Sequence, residues 1–126
     1  MADLGYRSIE VNVVNDTRGN LTIQGPTLGS GNTWVQGEEP TQGASLGQYQ
    51  GAKWGVSTND VNGTATAMVQ LTGLGSYPVS ISFTNDMNGN SNCMLQGNDM
   101  VKGTAMQVST GEMNHSLYNV QLIPGP

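Results

Sequence analysis

Asp86, Asn88, Asn90 and Asn92 occupy every second position of the stretch SFTNDMNGNSNCML. That is how a calcium loop of the EF-hand type spaces its oxygen ligands. Such a loop also needs a turn glycine at its sixth position and a bidentate Glu at its twelfth. Counted from Asp86, those places hold Ser91 and Gly97. One carboxylate with several amides would hold the ion weakly, so no metal site is expected. The stretch reads as a polar turn between strands, where Asn and Gly accept positive φ and the side chains cap nearby backbone.

The other chemistry-bearing residues give no catalytic pattern. His115 is the only histidine; it lies in GEMNHS beside Ser116, without the acid and nucleophile partners of a triad. Cys93, the only cysteine, has neutral neighbours in an alternating segment, which suits a small core residue. Glu38 and Glu39 are adjacent, so on an extended segment they point apart and do not flank one bond. No glycine-rich phosphate loop joins a strand to a helix. The reading is therefore no catalytic residue, no cofactor and no enzyme. The residues suited to a lipid or partner surface are Trp34, Tyr49 and Trp54, which combine apolar bodies with polar tips, and Met87 in a polar loop. Met106 reads as core filling.

Alternation must position these residues. SIEVNVV sets Ile9, Val11 and Val13 on one face; LTIQG sets Leu21 and Ile23. TATAMVQLT aligns Ala65, Ala67, Val69 and Leu71, and YPVSISF aligns Val79, Ile81 and Phe83. SLYNVQLI aligns Tyr118, Val120 and Leu122. GNTWVQG, AKWGV, NCMLQG and GTAMQVST are further short strands, while GEEPTQGASLGQYQG is a long loop with one strand near Tyr49. The outer faces carry hydroxyls and amides. The fold class is all-β: one antiparallel β-sandwich of about nine short strands, forming a single domain over residues 1–126.

Composition agrees. Charged residues are 10% of the 126 residues, far below the usual roughly 25%. Four cations against nine acids leave no basic patch, which argues against nucleic acid. The N-terminus lacks a basic region followed by an apolar core, so synthesis in the cytoplasm without a signal peptide is expected. Few charges guard the strand edges, which leaves room for homo-oligomers.

The order of elements resembles the aegerolysin family. IEVNVVNDTRGNLTI resembles its first hairpin, GNTW its Gly-x-Trp element, and NGTATAMVQLTG its central strand. SISFTNDMNGNSN resembles the strand that ends in an aromatic before Asn and Gly-x-Asn, with Asp86 where members often have Pro; LYNVQLI matches the closing strand. The likeness runs from about residue 8 to 123 and is strongest to bacterial, insecticidal two-component members. It implies a β-sandwich that recognises a membrane lipid or receptor on target cells, outside the producing cell, beside a larger pore-forming partner. The alternative is a cytosolic lectin-like carbohydrate-binding module, because Asn, Asp, Gly and Trp also suit sugars.

Overall fold

The computed structural model describes residues 3–125. The outermost residues of the expected 1–126 domain lie outside that range. Ten strands form: β1 Arg7–Asn15, β2 Leu21–Leu28, β3 Thr33–Trp34, β4 Ser45–Leu46, β5 Gly51–Thr58, β6 Ala65–Thr72, β7 Val79–Asn85, β8 Ser91–Gln96, β9 Val101–Val108 and β10 His115–Pro124. One sheet runs β3-β5-β1-β10-β9 and the other β4-β2-β6-β7-β8. The all-β sandwich read from the alternation is the observed architecture.

The expected inward faces are the observed ones. Ile9, Val11, Val13, Val120 and Leu122 of the first sheet meet Leu21, Val69, Leu71, Ile81 and Phe83 of the second, all buried. Burying each such side chain contributes roughly 1.5–3 kcal/mol before the cost of ordering it. Cys93 joins this core, and burial pushes its thiol up to about 11, which keeps it protonated.

Four details differ from the sequence reading. The β1–β10 pair is parallel, Ile9 opposite Ser116 and Val13 opposite Val120. The first and last strands are therefore central neighbours, joined by no local turn that alternation could reveal. β1 and β2 belong to opposite sheets, so the turn between them crosses the sandwich and is not a hairpin turn. No strand passes through Tyr49; the long loop instead holds β4 at Ser45–Leu46. Met106 is 73% exposed, and Gly103 and Ala105 face inward in its place. The small pair fits because Leu95 of β8 lies directly over Gly103.

Candidate functional site

The four predicted contact residues do not form one site. Trp54 is 2% exposed and sits in the core opposite Val11, so it is a packing residue and is withdrawn as a surface contact. Trp34 is half-buried on the two-residue edge strand β3 and packs against the core. Tyr49 and Met87 are exposed, but at opposite ends of the sandwich.

Met87 lies at what we term the near end. There the loops 59–64, 86–90 and 109–114 meet the start of β1. Arg7, a fully buried side chain, fastens the first two. Its Nη1 donates to the Gly63 carbonyl, and its Nη2 donates to the carbonyls of Val61, at 3.3 Å, and Met87, at 3.4 Å. The Tyr6 ring stands 5.3 Å from the guanidinium carbon, in reach of a cation–π contact. Asn85, also buried, ties in the third loop by donating to the carbonyls of Ser8, at 3.1 Å, and Met113, at 3.0 Å. Gly89 has a positive φ of 79° and the Met113 side chain lies against it, so a Cβ there would be blocked twice.

With their backbones held this way, the three loops each present one apolar side chain to solvent. Val61 is 55% exposed, Met87 53% and Met113 69%. Beside them opens a cleft of about 430 Å³ between the loops 86–90 and 109–114, lined in part by Ser109, Thr110, Glu112 and Ser116. The site thus pairs a small apolar crown with a cleft rich in hydroxyl groups. Its loop charges are acidic, with Asp60 and Glu112 exposed and Asp86 half-buried. The Arg7 Nε and the Asn85 Oδ1 are buried without a hydrogen-bond partner. Buried polar groups left unpaired often mark functional places.

The stretch that suggested calcium is a capped turn. Asp86 Oδ1 accepts from the backbone of Asn88 at 2.9 Å and Asn90 at 3.0 Å, and the Gly89 N–H returns to the Asp86 carbonyl at 3.0 Å. Its carboxylate shapes the loop that carries Met87. His115 is not the solvated turn residue expected from its neighbours. It is half-buried, its Nδ1 lies 2.9 Å from Ser8 Oγ, and its Nε2 lies 3.6 Å from Glu112 Oε2. This outlines a nucleophile, base and acid, but Ser8 is 0% exposed, which keeps substrate from its Oγ.

At the far end, Tyr49 is 75% exposed in the β4–β5 turn and holds a φ of 66°, unusual for a non-glycine residue. Tyr77 is exposed in the β6–β7 turn. The turn 16–20 lies between them: Gln48 reaches Asn20 and Thr17 on one side, while Gly19 packs on Leu74 at the other. The two tyrosines therefore do not converge.

Sequence reasoning missed Arg7, Val61, Met113 and the partner of Glu38. Arg7 looked like one of four scattered cations. Only its place immediately before an alternating strand could have flagged it. Glu38 faces Glu10 of β1, not Glu39, over Gly55 of β5. A Cβ at Gly55 would collide with Glu38 Oε1 and stand 3.0 Å from Glu10 Cγ. Burial, a side-chain hydrogen bond with Glu10 and the Glu10 charge push Glu38 up to about 7, against a lowering by Lys53.

The fold has solved counterparts. The lipid binding protein Nakanori superposes with a TM-score of 0.65 at 13% identity, over 98% of this chain and 73% of that one. IP-1A from Alcaligenes faecalis superposes with a TM-score of 0.64 at 10% identity, over 98% of this chain and 95% of that one. At such identities the likeness establishes the shared sandwich. No protein-family model matches the sequence, and no curated protein matches it.

Proposed function

We propose that this chain is an aegerolysin-like, membrane-binding component of a bacterial toxin system, possessing the recognition role while a larger partner makes the pore. The observation that carries the reading is that Val61, Met87 and Met113 stand exposed on three neighbouring loops, the first two held by the buried Arg7 and the third by the buried Asn85. The description of Nakanori as a lipid binding protein supports it, through the common fold. In this reading the three side chains enter the interfacial layer of a target-cell membrane and the hydroxyl-lined cleft receives a head group. Acidic loops and the scarcity of free cations favour a head group without net negative charge.

Burying three half-exposed apolar side chains contributes roughly 3 kcal/mol. That alone gives weak binding, in the millimolar range. Head-group contacts or a second protein must supply the remainder, which is how a recognition subunit comes to depend on a partner. The test is co-sedimentation with sphingolipid–cholesterol vesicles and with phosphatidylserine vesicles. The wild-type protein should pellet with the former, the Met87→Asp/Met113→Asp variant should lose at least tenfold in binding, and Tyr49→Ser should bind as wild type. Binding to neither vesicle, or equal binding by the double variant, overturns this assignment. Retention by a glycan that free sugar competes away would instead establish the lectin-like reading.

A further inference from the structure

The two sides of the sandwich are finished differently. On one side the sheets end in β3 and β4, of two residues each. The rest of β2 on that side is broken by a register shift between Gln24 and Thr27, where Gly25 and Pro26 stand. Residue 35 continues the cover of β5, its N–H donating to the Gly55 carbonyl at 2.8 Å. Short strands, bulges and proline are how sheets avoid pairing with other chains.

The opposite side has none of these devices. It ends in β8, of six residues, and β9, of eight, both in unbroken register with their inner neighbours and both without proline. β8 carries no charge and β9 carries only Lys102. Among the described residues no strand pairs with their outer edges. Met94 and Met106 stand exposed on these strands, and Leu95 and Ala105, packed against the core, are only partly buried.

We infer that β8 and β9 together form a homodimer interface whose occupant is a second copy of this chain. A twofold axis normal to the sheets sets β9 antiparallel to β9 and β8 antiparallel to β8 of the other copy. One operation then satisfies both edges, continues each five-stranded sheet into ten strands and seals the Leu95–Ala105 seam. A foreign strand would satisfy only one edge. Antiparallel pairing is also the slightly more stable arrangement per residue. With Ala105 opposite its copy, the two Lys102 side chains are six residues apart along the ladder, about 20 Å, so the single charge does not oppose the pairing. The two near ends point in opposite directions, and a flat membrane meets one of them.

Sedimentation equilibrium on the full chain tests this. The wild-type protein should be a dimer, and Met94→Lys/Met106→Lys should be a monomer with an unchanged circular dichroism spectrum. Tyr49→Lys, exposed in the β4–β5 turn on the other side of the sandwich, should remain a dimer. If the double variant does not fold, Thr104→Lys, exposed on the same edge, replaces it. Amide exchange in β8 and β9 should be slower in the wild-type protein than in the monomeric variant. A monomeric wild-type protein, or a dimer that the edge lysines leave intact, overturns the inference.

Discussion

Strand β1 starts at Arg7 and finishes at Asn15, both buried, and each residue fastens the loops at its own end of the sandwich. Asn15 is saturated. Its Nδ2 donates to the carbonyls of Gly19, at 2.9 Å, and Leu46, at 2.8 Å, and its Oδ1 accepts from the Thr17 amide at 3.0 Å and from the Thr17 hydroxyl. Arg7 is a charged group whose hydrogen bonds all go to carbonyl oxygens, with the Tyr6 ring beside it, and whose Nε–H is unpaired. A neutral, fully bonded amide is how a protein closes a turn region at low cost. A buried cation without a carboxylate is an expensive way to do the same. The near end therefore carries a cost that fold stability does not explain, and that is where the three apolar side chains converge. The far end shows the reverse: its loops are closed, and its exposed tyrosines are apart.

The core between the ends sets the scale. Trp54→Ala should have the largest effect, about 3–5 kcal/mol in urea denaturation, because it empties a large buried volume. Arg7→Met and Asn15→Ala come next, at about 2–3 kcal/mol each, since both leave loop carbonyls without their buried donors. Their stability losses should be alike while their vesicle binding differs. Arg7→Met releases the Val61 and Met87 loops and should weaken binding, whereas Asn15→Ala should not. Equal loss of binding in both would mean that overall stability, not the near end, governs recognition.

Tyr49 offers a sharper division at a smaller magnitude. A non-glycine residue at φ 66° costs on the order of 1 kcal/mol. Tyr49→Gly should therefore stabilise the protein by about that much and leave vesicle binding unchanged. If binding falls while stability rises, the strained tyrosine serves recognition and the far end is the membrane-facing one.

What was legible in the sequence follows the range of the interactions. The core faces of β1, β6, β7 and β10 were written in local alternation, because each strand has one dry and one wet side. β9 misled for a physical reason. It is an edge strand whose inward residues are the small Gly103 and Ala105, with Leu95 crossing above Gly103, while its larger Met106 faces water. Size and burial there run opposite to the usual rule. The Met87 loop was legible as a turn because Asp86 and its neighbours bond within a few residues. The clamp that makes it part of a site was not, since Arg7 reaches residues 54 to 80 positions away. Trp54 and Tyr49 show the same limit for aromatics: residue type suits either core or surface, and only the register of β5 and the turn after β4 decide between them.

The smallest expected effect concerns Glu38, which lies on the outer face of the first sheet. Its neighbours there are Glu10 of β1, Lys53 of β5, 3.4 Å from Glu10, and Glu39 next in sequence. Glu38 rises from 4.5 to about 7 on folding, first through burial and then through Glu10. The folded state thus binds its proton more tightly than the unfolded chain does. The resulting stability is fully present below the unfolded value and is lost as pH rises from about 4.5 to about 7. Urea midpoints should accordingly decline across that window, modestly, because Glu38 is only partly buried and solvent screens it. Glu38→Gln keeps a neutral side chain over Gly55 at every pH and should flatten the decline. Glu39→Gln, pointing away, should leave it unchanged. A wild-type midpoint that stays level through the same window would show that Glu38 titrates as an ordinary carboxylate and that its burial beside Glu10 is without effect.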